Sequence, residues 1–402
     1  MKLTRELKSA LALGSMCVIS YLGCYIARNL LSVVTPEMVE NTSFTVESIG
    51  TLSTIYMVVY ALGQLINGRI GDIFRAKWLV GVGLALTGVC NIMMPLFDSV
   101  LISSIVYGAS GLFQSMIYAP LMRTIAENTL PDHARRCSLG FTIASFLGTP
   151  VASFVAMLFN WEAAFFVCGA ILIILGIACY VSFDAFERHG IISYKKSATG
   201  KTSAAFDLPL LIKRSIIKFT IVAILTGIIR TSVVFWIPTY LTDYLSYSKD
   251  TAALLFSVIT IIKTTNPYVT ILILYERIFR RNINLSLFTT FLISTVAFIC
   301  MIFTSSPVLN IILLTVALFF SGCAATLVYS VWCPSLRDTG MVSSATGIVD
   351  AASYLGAGIA NLLFANAINT IGWTWLIIIW SALMLVGIPT ALNYEKFLKA
   401  KE

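Results

Sequence analysis

The sequence predicts an all-α membrane protein of twelve transmembrane helices, arranged as two pseudo-symmetric six-helix halves. Three observations lead there. Of the 402 residues, 58% are hydrophobic and 11% charged, against about 25% charged in soluble domains, and the mean hydropathy is +0.89. Apolar runs recur along the whole chain, each near the roughly 20 residues that a bilayer core asks of one helix. Residues of the first half also reappear at matching places in the second. So little charge cannot cover a water-facing surface, which excludes a water-soluble enzyme.

Hydropathy places spans near 9–34, 46–66, 78–97, 99–126, 137–160 and 162–183, then near 215–245, 250–275, 284–304, 307–332, 342–368 and 371–392. The first is too long for the apolar core of a signal peptide and carries Arg28, so it is read as retained. The polar stretch 184–214, with Arg188, Lys195, Lys196, Lys201, Lys213 and Arg214, is the one long connection. It divides the chain into an N-terminal half (1–183), a linker (184–214) and a C-terminal half (215–402).

The net charge of +8 does not point to nucleic acid, because the basic residues alternate between loops. Lys2, Arg5 and Lys8 precede the first span; Arg69, Arg75 and Lys77 follow the second; Arg135 and Arg136 follow the fourth. Arg277, Arg280 and Arg281 follow the eighth, Arg337 follows the tenth, and Lys396, Lys399 and Lys401 close the chain. The opposite loops carry Glu37, Glu40, Glu47, Asp98 and Glu162, with Lys249 as their one lysine. Lys and Arg resist translocation, so both termini and the linker are expected on the cytoplasmic side of a cell membrane.

The repeats are local and specific. Arg28 stands eight residues before Pro36 in RNLLSVVTP, and Arg230 stands eight before Pro238 in RTSVVFWIP. GRIGDIFRAK after the second span answers YERIFRRN after the eighth. Phe146-Leu147-Gly148 answers Tyr354-Leu355-Gly356, with Trp161 and Trp373 following. Two like-oriented six-helix halves form the parallel repeat of secondary transporters, whose ligand site lies at the repeat interface.

These residues resemble the major facilitator superfamily. Gly68-Arg69-Ile70-Gly71-Asp72 followed by Arg75 resembles its loop 2–3 signature, and Glu276-Arg277 with Arg280 the weaker copy in loop 8–9. Within it, the chain resembles the organophosphate:phosphate antiporter family over nearly its whole length. Tyr25-Ile26-Ala27-Arg28-Asn29 is similar to the run holding that family's first substrate arginine. Arg230 through Trp236-Ile237-Pro238-Thr239-Tyr240-Leu241 is similar to the segment holding its second. Pro120 with Arg123-Thr124, and Tyr354-Leu355-Gly356, fit as well. The chain departs from the family at Asn29 and Gln64, where lysines are common, and at Ala144, where one branch has histidine. Each departure removes positive charge and leaves a carboxylate or another organic anion open as substrate.

An ionisable side chain at the bilayer centre costs a few kcal/mol on insertion scales and usually faces a cavity or a partner. Arg28 and Arg230 hold equivalent places in the first helix of each half, where two guanidiniums would fork onto phosphate or carboxylate oxygens. The competing reading makes each a structural cation paired inside the protein. Tyr25 and Tyr60 are candidate ligands for substrate oxygens. Arg123 lies four residues before Glu127, so an intrahelical or gating ion pair on one helix face competes with substrate contact. Asp72 and Arg75 are candidate gating residues from the loop signature. Lys263, just before Asn266-Pro267, and Asp350 are charges within spans. For these two a structural bridge, a substrate-released salt bridge and a proton-coupling acid all remain open.

The expected function is secondary transport of a small organic anion, foremost organophosphate/phosphate antiport by rocker-switch alternating access. A proton-coupled carboxylate symporter with Asp350 titrating, and a transporter-like membrane sensor of a phosphorylated sugar, are the alternatives. No enzyme is expected. Gly200-Lys201-Thr202 lacks the glycine spacing of a phosphate loop, and the two histidines, His133 and His189, lie in polar loops. The nine cysteines show no CxxC spacing and read as small buried apolar residues. No cofactor, metal or nucleic acid is expected, and the partners are the lipid bilayer and the substrate of a monomer.

Overall fold

The computed structural model describes residues 5–194 and 206–392. Lys2, the linker lysines Lys195, Lys196 and Lys201 with Gly200 and Thr202, and the C-terminal Lys396, Lys399 and Lys401 lie outside the described residues. Helices account for nearly all of what is described, and no strand occurs among the described residues.

The first helices are α1 (Arg5–Asn41), α2 (Val46–Ile73), α3 (Ala76–Met93), α4 (Val100–Gln114), α5 (Tyr118–Asn128), α6 (Pro131–Leu158) and α7 (Trp161–Arg188). Next come the short α8 (Leu208–Lys213), then α9 (Ile216–Ile228), α10 (Val234–Thr239), α11 (Lys249–Thr264) and α12 (Asn266–Tyr268). The chain closes with α13 (Ile283–Phe303), α14 (Pro307–Thr326), α15 (Cys333–Ser335), α16 (Val342–Thr370) and α17 (Gly372–Ala391). Among the described residues, eleven stretches are long and apolar enough to cross a membrane. The twelfth expected span falls on α16, whose 29 residues reach about 44 Å at 1.5 Å per residue. The linker is shorter than its polarity implies, because α7 runs on to Arg188 and α8 begins at Leu208.

The outward side chains show why the chain needs lipid. Phe303 is 83% exposed and Met157 82%, positions that a water-facing helix fills with polar groups.

Two compact units make up the chain, one of residues 1–214 with 333–351, the other of 215–332 with 352–402. In the first unit α1 packs on α6, α2 on α4, and α3 on α7. The α3–α7 crossing is set by four glycines. A Cβ on Gly88 would stand 2.6 Å from the Gly169 carbonyl oxygen, and one on Gly176 would stand 2.6 Å from that of Gly81. Small residues that let backbones touch are the usual device for joining helices where lipid removes the hydrophobic drive. In the second unit α13 packs on α14 and α17. Its core gathers around Trp380, whose ring lies 5.9 Å from Phe298, 6.3 Å from Phe364 and 6.4 Å from Tyr240.

The repeated Arg-to-Pro spacing folds differently in its two copies. α1 stays α-helical past position 36 to Asn41. The second copy widens into π-helical turns at Ile229–Val233 and Tyr240–Tyr244, on either side of Pro238 in α10. Further π-helical stretches, Val269–Ile278 and Leu327–Trp332, adjoin Pro267 and Pro334. Proline withholds the N–H that carbonyl i−4 would accept, and widened turns absorb such breaks. Proline does not suffice, since α6 carries Pro150 without widening.

Gly88→Leu is expected to destabilise the first unit by about 1–3 kcal/mol or more, because the opposing atom is backbone and cannot repack. Gly50→Ala, where a Cβ meets nothing within 4 Å, is the matched control. Thermal unfolding of the two purified variants checks this.

Candidate substrate-binding site

In the first unit two helix faces meet around Arg28. α1 bears Tyr21, Tyr25 and Arg28 at spacings of four and three, and α2 bears Tyr56, Tyr60 and Gln64 at four and four, so each trio shares a face. The guanidinium carbon of Arg28 lies 4.4 Å from the Tyr60 ring centroid, 4.9 Å from Tyr25 and 5.8 Å from Tyr56. A cation over desolvated aromatic faces gains about 2 kcal/mol, a partial return on the cost of placing it in a span. Its Nε donates to the Tyr56 hydroxyl at 3.0 Å, and that hydroxyl donates to Gln114 Oε1 at 2.6 Å. Gln114 Oε1 also accepts from the Cys24 thiol at 3.1 Å. The Tyr107 hydroxyl donates to the Arg28 main-chain carbonyl at 3.2 Å.

Tyr60 links this cluster to an acid. Its hydroxyl donates to Asp350 Oδ2 at 3.4 Å and accepts from Gln64 Nε2 at 2.6 Å. All three are buried, with Tyr60 1%, Gln64 0% and Asp350 5% exposed. Of the sequence-predicted residues, Arg28, Tyr25, Tyr60 and Asp350 thus come together within the first unit.

The second unit carries its own cationic pair. Arg230 sits in the π-helical turn after α9, with its guanidinium carbon 5.8 Å from the Tyr329 ring centroid. Lys263 Nζ donates to the Arg230 main-chain carbonyl at 3.3 Å. Three residues on, buried Asn266 accepts at Oδ1 from the Thr326 hydroxyl at 3.3 Å, which ties the broken helix α11–α12 to α14.

The gating candidates Asp72, Arg75 and Arg123 form a separate layer of the first unit. The two Asp72 carboxylate oxygens accept the backbone N–H groups of Ser343 and Ser344, each at 2.8 Å, so an acid from α2 caps the first turn of α16. Negative charge is favoured there by the helix dipole and the unpaired amides. Arg123 donates from Nη1 to the Gly71 carbonyl at 2.8 Å and from Nε to Glu127 at 3.0 Å. Arg75 reaches Glu187 at 3.2 Å with its side chain 61% exposed. Lys77, 7% exposed, holds both Asp184 at 2.6 Å and Glu187 at 2.8 Å. Tyr194 donates to Glu187 at 3.2 Å and accepts from the Ala76 N–H at 3.0 Å. Burial raises its phenol above the ordinary value, so it remains a donor.

The Major Facilitator Superfamily pattern matches residues 17–344. The chain belongs to the Major Facilitator Superfamily. Its fold is similar to that of a bacterial homologue of the iron transporter ferroportin in an outward-facing state, with a TM-score of 0.75 at 12% identity over 94% of this chain and 98% of that one. Among curated relatives it is 24% identical to the phosphoglycerate transporter protein of Salmonella typhimurium, over 88% of this chain and 82% of that protein. It is 22% identical to the membrane sensor protein UhpC of Escherichia coli, over 94% and 89%. A shorter match, 26% identical, spans 42% of this chain and 40% of the uncharacterized transporter YybO of Bacillus subtilis.

Several residues of this facilitator's site escape the sequence reading. Gln114 organises Tyr56 and Cys24, and its one advance signal is a lone amide in the apolar run of α4, where polar groups are costly. Tyr329 gives no signal, and neither does the pairing of Lys77 with Asp184 and Glu187, more than a hundred residues away.

Asp72→Asn is expected to loosen the first turn of α16. A hydrogen bond to a charged group contributes about 1.5–3 kcal/mol, so deuterium uptake by peptides covering 342–348 should accelerate roughly tenfold or more. Hydrogen–deuterium exchange mass spectrometry of the two proteins checks it.

Proposed function

We propose that this facilitator is a secondary transporter exchanging an organophosphate for inorganic phosphate by alternating access, with Arg28 and Arg230 each supplying a guanidinium to the transported anion. The observation that carries the reading is the setting of Arg28, an always-charged fork inside a span, held in place by three tyrosine rings and one hydroxyl. Guanidinium groups match phosphate oxygens in bidentate fashion. Arg230 beside Lys263 adds a second cationic group, suited to the double charge of a phosphate monoester. The relative named a phosphoglycerate transporter supports the same substrate class.

Exchange follows from electrostatics. An empty carrier would have to reorient with a net positive charge in low dielectric, while a bound anion offsets that charge and lowers the barrier. The alternating basic loops support cytoplasmic termini. Tyr25 and Tyr60 orient substrate oxygens in this reading, Lys263 joins Arg230, and Asp72, Arg75, Arg123 and Asp350 act in gating or coupling.

A second reading, a membrane sensor that binds a phosphorylated compound without moving it, is favoured by the match to the sensor protein UhpC over 94% of this chain.

Proteoliposomes loaded with unlabelled phosphate are expected to take up labelled external phosphate, and empty ones are not. Arg230→Ala should abolish uptake. Arg28→Lys should reduce it about a hundredfold although charge is kept, because the fork is lost. Near-normal exchange by Arg28→Lys would sink the role given to Arg28. Phosphate binding without exchange would move the reading to a sensor.

A further inference from the structure

Resting on the anion-transport reading above, we infer that the first-unit site takes a zwitterion: an organic anion that also carries a protonated amine, with Arg28 receiving the anionic group and Asp350 with Gln64 receiving the ammonium.

The argument starts from donor and acceptor roles. A carboxylate only accepts, so the Tyr60 hydroxyl spends its single proton on Asp350 Oδ2. The Tyr60 oxygen must then accept from its other neighbour, and Gln64 gives it Nε2–H at 2.6 Å. This fixes the orientation of the amide and turns Oε1 away from Tyr60. Gln64 is 0% exposed, and its Oε1 has no hydrogen-bond partner among the described residues. A buried acceptor without a donor is an uncommon feature of a folded protein and calls for one.

The site is therefore dipolar. One face of the Tyr60 ring carries the Arg28 guanidinium at 4.4 Å. The hydroxyl end of the same ring carries a carboxylate and an unfilled amide oxygen. An inorganic or alkyl phosphate satisfies the first end and brings nothing to the second. A substrate hydroxyl offers one proton, enough for the carboxylate or the amide oxygen but not for both. An alkylammonium offers three donors and a positive charge, matching a carboxylate, an amide oxygen and electron-rich tyrosine faces together. A short aliphatic spacer between the two groups of the substrate fits the width of one aromatic ring.

The full chain, purified in detergent, is titrated with four compounds while thermal unfolding is followed: 2-aminoethyl phosphate, ethyl phosphate, 3-aminopropanoate and propanoate. The expected result is stabilisation by 2-aminoethyl phosphate at concentrations about tenfold or more below those needed with ethyl phosphate. Asp350→Asn should bring that ratio to within about twofold, and Gln64→Leu should also reduce it, which keeps the test open if one variant fails to fold. Equal potency within both pairs, or no stabilisation by any of the four, overturns the inference. Retention of the full preference by both variants overturns the assignment to Asp350 and Gln64. If the amine preference appears in the carboxylate pair alone, the zwitterion stands and the organophosphate reading falls.

Discussion

The first unit is organised around a charge that cannot be discharged. A guanidinium stays protonated at any physiological pH, so a chain that places Arg28 in a membrane span must build its compensation into neighbouring helices. It does so in layers. Tyrosine faces from α1 and α2 supply electron density, Tyr56 takes the Nε hydrogen, and Gln114 on α4 takes the Tyr56 hydrogen in turn. Tyr107, also on α4, fastens the Arg28 main-chain carbonyl. The mutual placement of α1, α2 and α4 thus serves one side chain. Tyr60 extends the network to Asp350, 290 residues away in the chain, which is part of why 333–351 belongs with the first unit.

The second unit meets the same problem with another backbone. Arg230 occupies the place of Arg28 in the repeat, yet its helix widens there, and the neighbour that reaches its main chain is a cation, Lys263. Two basic side chains close together in low dielectric disfavour each other's charge. The two units are therefore copies in register but not in chemistry: one sets its arginine among tyrosine rings, the other sets it beside Tyr329 with a lysine on its main-chain carbonyl.

What was legible in the sequence follows the physics of the solvent. Lipid demands long apolar helices and penalises buried charge, so the spans, Arg28, Arg230, Lys263 and Asp350 stand out from composition alone. Partners do not, because a hydrogen bond between Tyr60 and Asp350 or an ion pair between Lys77 and Asp184 depends on tertiary placement that no local pattern encodes. Lys77 reads in the sequence as one more topology charge, and the structure gives it two carboxylates. The widened turns were equally hidden. The same eight-residue spacing to proline yields regular α-helix after Arg28 and π-helical turns after Arg230.

The charged layer near the ends of α2 and α7 shows that proximity in a motif does not mean equality of role. Arg75, 61% exposed beside Glu187, is in the range where an ion pair contributes at most about 1 kcal/mol. Lys77 shares that glutamate from a buried position and also holds Asp184, which Arg188 reaches at 2.7 Å from the other side. The Asp72 carboxylate takes two backbone amides of α16 as direct partners, which stabilise its charge through hydrogen bonds. Arg123 anchors the carbonyl of Gly71, the residue immediately before Asp72, and so sets where the Asp72 carboxylate is presented. Of the basic and acidic residues in this layer, Asp72 alone connects α2 to the first turn of another helix through main-chain donors. A change in its charge therefore acts on the first turn of α16.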